Sequence, residues 1–274
     1  MQARRNRRQG GFTLVEMAVV LVIIGVIIGA VMIGRDVQRN AEYTRIKQKF
    51  MDQWVVAYNT YNQRMGSPVG DNQSAPRLMV NGANYNGNAG TLSGGDMSGE
   101  TGPAAICRAN LGPGMQRGSF EAGEQFDLRL MMRRSGITMP PGRGDGMEDR
   151  YVYLDTNGNP QEIQICFQWN PPGTGSGSGN VMVISGLTPD LARALDQMID
   201  GKPDAQNGAF RQEGIQARTS TAADANSVGL EWEGNNTQRL TGTGGVAGDA
   251  ALNEDSTSDI EQVMTLVAHY KMNQ

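Results

Sequence analysis

Apolar residues in this chain change rhythm twice. From Phe12 to Ile33 the sequence reads FTLVEMAVVLVIIGVIIGAVMI, twenty-two residues with a single charge at Glu16. A helix of that length rises about 33 Å, enough to cross the ~30 Å hydrocarbon core of a bilayer. Beyond it the pattern becomes amphipathic. Ile46, Phe50, Trp54, Tyr58, Tyr61 and Met65 recur every three or four residues, widened by Met51 and Val55. Arg35, Asp36, Arg39, Glu42, Arg45, Lys47, Lys49 and Asp52 fall largely elsewhere, so one face is built to be covered. Gly66-Ser67-Pro68 stops the run. The expectation is one helical element of about 54 residues, roughly 80 Å long. Its first half should pack against lipid and other chains, and its aromatic half against its own globular body.

Residues 66–118 are rich in Gly, Asn and Ser and read as an irregular, solvated connector. Period-two patterning then takes over. Tyr151–Asp155 and Glu162–Trp169 flank Thr156-Asn157-Gly158-Asn159, which predicts a hairpin. Val181–Ile184 reads as a third strand. Thr188-Pro189-Asp190 opens a helix, with Thr188 as N-cap and proline in the first turn. Leu191, Leu195, Met198 and Ile199 should form its apolar face, and Gly201 its end. Near the C-terminus, Ser258 and Glu261 make a capping box that argues for helix. Met264, Leu266, Ala268, Tyr270 and Met272 alternate as in a strand, and the strand is preferred for 263–272. The fold class is therefore α+β: a long N-terminal α-helix, transmembrane in its first half, packed against a C-terminal antiparallel β-sheet domain.

Charge orients this arrangement. Arg4, Arg5, Arg7 and Arg8 precede the apolar run and no acid accompanies them, which holds that end in the cytoplasm and exports the body beyond the apolar run. An ordinary secretory signal would have a shorter apolar stretch and a small-residue cleavage site after it; here the helical pattern continues unbroken. The chain carries a net charge of −4, and −8 without those four arginines, so its body makes a poor phosphate-binding surface and nucleic acid is not an expected partner. Cys107 and Cys166 are too few for a zinc cage and too far apart in sequence for CxxC chemistry. In an oxidising compartment they can pair, and closing that loop contributes about 4 kcal/mol on chain-entropy grounds. Otherwise they are two buried thiols.

The start of the apolar run carries the most specific signal. Glu16 lies one turn inside it, where a carboxylate is expensive. A plain anchor gains nothing from it, beyond the bland possibility of snorkelling at the interface. Around it stands Gly10-Gly11-Phe12-Thr13-Leu14-Val15-Glu16. A basic leader ending in glycine, followed by Phe-Thr-Leu-x-Glu and a long apolar helix, resembles the processing site of type IV prepilins and type II secretion pseudopilins. The resemblance implies cleavage between Gly11 and Phe12 by a membrane prepilin peptidase and N-methylation of Phe12. It also implies that Glu16 meets the terminal amine of a neighbouring subunit, fixing register in a helical filament. The implied partners are other pilin or pseudopilin subunits, the prepilin peptidase, an inner-membrane assembly platform and the lipid bilayer. The implied layout is a leader at 1–11, a transmembrane and filament-core segment at 12–34, an amphipathic continuation at 35–66 and an exported pilin-like domain at 67–274. The precursor would be a single-pass inner-membrane protein, its N-terminus cytoplasmic and its domain periplasmic, before joining a pilus or pseudopilus. Many type IV pilins have a proline where this chain has Ile33; Gly25, Gly29 and Gly34 remain as places where the helix can soften.

Chemistry is sparse elsewhere. His269 is the one histidine and reads as a surface residue, too isolated to complete a catalytic dyad. No phosphate loop occurs. Asp155-x-Asn157-x-Asn159 imitates the start of a calcium loop, but Pro160 replaces the glycine and Cys166 the bidentate glutamate, so a hairpin turn is expected. Asp71, Asp96 and Glu100 are too few to make the connector a calcium site. No enzyme activity, cofactor or metal is expected. The competing reading is an inner-membrane-anchored periplasmic binding protein or enzyme whose signal anchor is never cut. A body this large also favours a minor over a major subunit.

Overall fold

The computed structural model describes residues 14–85, 102–103, 105–106, 128–214, 232, 263 and 265–272. The chain divides into two compact units, Met1–Thr44 and Arg45–Gln274. Helix runs from Leu14 to Met65, as α1 (Leu14–Ile46), a π turn (Lys47–Met51) and α2 (Asp52–Met65). Gly66 closes it in the left-handed conformation, φ 72°, and donates its N–H to the Asn62 carbonyl at 2.8 Å, as the predicted stop requires.

The π turn answers a problem in the pattern itself. Ile46, Phe50, Trp54 and Tyr58 are spaced by fours, and each step of four overshoots an α-helical turn of 3.6 residues by about 40°. Three such steps would carry Tyr58 far round from Ile46. A turn bonded i→i+5 absorbs part of that drift: the Asp52 N–H reaches back to the Lys47 carbonyl, and Lys47 Nζ lies 3.0 Å from the Asp52 carboxylate, five residues on. Ile46, Phe50, Trp54 and Tyr58 are all fully buried. Met65, placed on the same stripe by its spacing, is only half-buried, and Ala57 joins the covered face.

Five antiparallel strands form one sheet in the order β1-β2-β3-β5-β4: β1 (Arg150–Leu154), β2 (Pro160–Asn170), β3 (Gly179–Leu187), β4 (Phe210–Gln212) and β5 (Leu266–Lys271). The first hairpin is where the sequence puts it, with Gly158 at φ 88° in its turn and Pro160 as first residue of β2, where a missing donor costs least. The C-terminal segment is a strand, inserted between β3 and β4. Pairing on both sides fixes it, an advantage that local capping propensity cannot offer. Cross-strand partners share a face, so Ile165 with Ile184, and Phe167 with Met182 and Tyr270, line one surface. That surface meets the helix: Tyr58 stacks on Phe167 at 5.0 Å, Trp54 lies 6.1 Å from Phe167, and Phe50 lies 5.3 Å from Tyr151. Each aromatic pair adds about 0.5–1.5 kcal/mol beyond burial alone.

Between Ile184 and Leu187 the β3–β5 register slips. Gly186, φ 79°, occupies the slip, pressed so closely on the Glu162 carbonyl that a Cβ would overlap it. Tyr153 pins the bulge by donating its hydroxyl to the Gly186 carbonyl, 2.8 Å, and accepting the Thr188 N–H, 2.9 Å. This changes the expected helix start. Thr188 has extended N-cap geometry, but its side chain caps nothing and its hydroxyl is buried without a partner; its backbone N–H is drawn to Tyr153 instead. The helix, α4 (Pro189–Asp200), ends at Gly201 as predicted. Its buried face is Leu191, Ala192, Leu195 and Asp196, while Met198 is exposed and Ile199 half-buried, so the expected apolar face is displaced by one polar residue.

Among the described residues, α3 (Leu128–Arg134) and β4 were not anticipated. The described part of the connector also departs from expectation. Residues 67–71 and 79–82 are buried. Asp71 accepts backbone N–H groups from Asn72, Arg77 and Leu78 at 2.8–3.0 Å. Asn180 of β3 clamps the same loop, donating to the Leu78 carbonyl and accepting the Val80 N–H. Burial pushes the Asp71 carboxyl up despite those backbone bonds.

Candidate processing and assembly site

The first unit offers its function on its surface. Every side chain from Leu14 to Gln38 is exposed, including Leu14 at 90% and Ile33 at 68%. The helix is long and apolar enough to cross a membrane by length and composition, and none of its most apolar window is buried. An apolar surface of this extent is stable only against lipid or other apolar helices. Between Leu14 and Gly34 the sole ionisable group is Glu16, in the first turn of α1. The helix dipole favours an anion in a first turn, which lowers the cost of keeping a carboxylate there.

Gly11 and Phe12, the expected cleavage junction, lie outside the described residues. Gly25, Gly29 and Gly34 lie inside α1, which runs through them without interruption, and a Cβ at any of them would meet nothing within 4 Å. The irregular turn of this helix is instead at Lys47–Met51.

Cys107 is also outside the described residues. Cys166 is fully buried in β2, packed with Ala105, Val181 and Val183. Its Sγ lies 3.1 Å from the Ile106 carbonyl oxygen. Ile106 makes an isolated antiparallel bridge to Phe167, so the residue before Cys107 pairs with the residue after Cys166.

His269 is corrected by the structure. It is 3% exposed rather than on the surface. Nδ1 lies 2.9 Å from Asn170 Nδ2, and Nε2 lies 2.8 Å from Glu213 Oε2. Because the Asn170 amide nitrogen is a donor, Nδ1 accepts and Nε2–H donates to Glu213. Asn170 also donates to the Gly177 carbonyl, so the imidazole ties the glycine-rich loop after β2 to the end of β4. No sequence signal could reveal it, since the partners lie 99 and 56 residues away. The Asp155 turn is a hairpin turn. Its carboxylate accepts from the backbone of Asn157 and Asn159 and from the Gln161 side chain. Burial pushes this carboxyl up, but bonds from Asn159, Gln161, Val263 and Asn157 outweigh it and hold it below the usual range. Donors thus occupy the lone pairs a calcium ion would use.

Among the described residues no group of three His, Cys, Asp or Glu is arranged to hold a metal. A small cleft, with a cavity volume of only about 10 Å³, opens between Trp54, Leu128, Arg129, Met139, Glu148 and Asp149. Its cation is engaged, with Arg129 paired to Asp145 and Glu148.

Residues 6–32 match the family model of the prokaryotic N-terminal methylation motif. The match spans Arg7 and Arg8, the Gly11-Phe12 pair, Glu16 and nearly all of the apolar run. No curated protein and no solved structure matches the chain.

Proposed function

We propose that this chain, which bears the type IV pilin and pseudopilin signature, is made as a precursor, cut between Gly11 and Phe12, methylated on Phe12 and packed into a pilus-like or type II secretion filament. One observation carries the reading. The methylation motif coincides with an uncovered apolar stretch, residues 14–34, whose single charge, Glu16, stands in the first turn of α1. The motif implies a membrane-anchored precursor, a structural subunit rather than an enzyme, and contact with other pilin subunits and a prepilin peptidase.

Cutting before the apolar segment leaves it attached to the body and creates an amine at its tip. A carboxylate in a low-dielectric helix bundle needs such a cation, and a neighbour's Phe12 amine supplies it to Glu16. Residues 12–34 thus form membrane span and filament core in turn, 35–66 continue the helix, and 67–274 form the exported domain. The size of that domain favours a minor subunit, since its girth would be repeated along the fibre. Export also exposes Cys107 and Cys166 to oxidation. A disulfide between them is supported by the Ile106–Phe167 bridge and by the lack of any free thiol among the described residues.

Mass spectrometry of membrane-extracted protein tests the processing. A chain starting at methylated Phe12 is expected, and replacing Gly11 by a bulky residue should leave the leader on. An intact leader on the wild-type chain would instead mark a simple anchor. Glu16→Ala tests the assembly role. Insertion and cleavage should persist while filament incorporation drops by roughly a hundredfold or more, because leaving a buried charge unpaired costs about 3–5 kcal/mol. Equal incorporation of processed Glu16→Ala protein would return Glu16 to a snorkelling interfacial residue.

A further inference from the structure

Asp196 is an unusual resident of an apolar helix face. It is 0% exposed, one turn before the C-terminus of α4, where the helix dipole disfavours an anion. Its Oδ2 accepts the Trp232 indole N–H at 2.8 Å. Its Oδ1 is buried with no partner when the group is written as a carboxylate. Two further aspartates act on it, Asp200 one turn on and Asp204 in the next loop. Asp200 takes the backbone N–H groups of Ala209 and Phe210 at 2.9–3.1 Å. Asp204 accepts from the Asn207 N–H. Among the described residues, the cations of this corner are directed elsewhere: Arg193 to Asp190 and the Trp232 carbonyl, Lys202 to Asp204. From β5, Tyr270 faces Phe210 at 6.4 Å. Asp52 of α2 and Asp200 both bear on that phenol, adding further negative charge.

A lone proton resolves this arrangement better than an ion pair. On Oδ1 it converts an acceptor without a partner into a donor, and the Asp200 carboxylate is the acceptor within reach. Oδ2 is left free to receive the indole. Two adjacent carboxylates sharing one proton is the expected outcome where both cannot ionise. The same proton then ties three pieces together: the last turn of α4, the start of β4 through Asp200, and Trp232, whose ring packs 5.3 Å from Phe210. We propose that Asp196 and Asp200 hold a single shared proton that seats Trp232 against α4, so that this contact of the exported body responds to pH. Loss of the proton places a second negative charge beside Asp200 and Asp204, and Trp232, whose backbone carbonyl accepts from Arg193 at 3.3 Å, becomes the movable member.

The test tracks the indole resonances of the intact chain in detergent micelles, with nitrogen-labelled tryptophan. Trp54, Trp169 and Trp232 give three signals, and Trp232→Phe identifies one of them. Burial, together with Asp200 and Asp204, raises the Asp196 carboxyl to about 7, so the Trp232 signal should titrate with one midpoint near neutrality. Asp196→Asn keeps an acceptor for the indole and should abolish the titration. Asp204→Asn retains the acceptor for Asn207, removes one negative charge and should move the midpoint to lower pH. If Asp196→Asn does not fold, the Asp204→Asn arm decides alone. A Trp232 signal unchanged from about pH 5.5 to 8.5, a titration that survives in Asp196→Asn, or a midpoint unmoved in Asp204→Asn would each overturn the proposal.

Discussion

Gly186→Ala is a sharp test of how the sheet is closed. Gly186 sits at φ 79° in the bulge between β3 and β5, with the Glu162 carbonyl against its open side. Alanine there meets two separate costs. Holding an L-residue in the left-handed region costs roughly 1–2 kcal/mol. The added methyl collides with backbone rather than with a side chain that could rotate away, and forced overpacking costs about 1–3 kcal/mol. The sum is about 2–5 kcal/mol. For a body of this size each kcal/mol lowers Tm by roughly 2–4 °C, so a drop of about 4–20 °C is expected in thermal unfolding monitored by circular dichroism. Tyr153→Phe supplies the control. It removes the hydroxyl that bonds the Gly186 carbonyl and Thr188 N–H, leaving a buried donor unsatisfied at a cost of about 1–3 kcal/mol. The double variant should lose less than the sum, because both changes break the same Tyr153–Gly186 bond. A Gly186→Ala protein melting within about 2 °C of wild type would refute the reasoning.

Tyr58→Phe removes a buried hydroxyl that has no hydrogen-bond partner while keeping the stack on Phe167; urea unfolding should show stability unchanged or raised by up to about 1 kcal/mol. Asp196 sets a pH dependence whose sign is fixed. Its folded pKa of about 7 exceeds the ordinary 3.8, so the folded state binds the extra proton and stability falls as pH rises between those values. Asp196→Asn should therefore gain on wild type by about 2–4 kcal/mol between pH 4 and pH 8, read from unfolding curves at each pH. Reducing the purified exported chain should expose two thiols to alkylation and lower its stability by about 4 kcal/mol; two thiols alkylated before any reductant is added would exclude the Cys107–Cys166 bond.

Sequence alone determined the features that depend on neighbouring residues. An apolar run with one carboxylate needs no tertiary context to be read as a membrane or bundle helix, because its length and composition leave no other solvent for it. The Gly66 stop, the Asn157-Gly158 hairpin and the Gly201 cap were legible for the same reason: each is a local backbone requirement met by a local residue. Tertiary structure decided whatever rests on long-range pairing. His269 became a buried strut only when Glu213 and Asn170 were brought to it, and Thr188 stands at the N-cap with its hydroxyl capping nothing while its backbone N–H meets a hydroxyl from β1. Asp196 displaced an apolar residue on α4 because Trp232 arrived to hydrogen-bond it. The C-terminal segment, locally balanced between helix and strand, became β5 because β3 and β4 each offered it an edge. A polar group's free energy depends on what completes its hydrogen bonds, and in this body those partners lie tens of residues away.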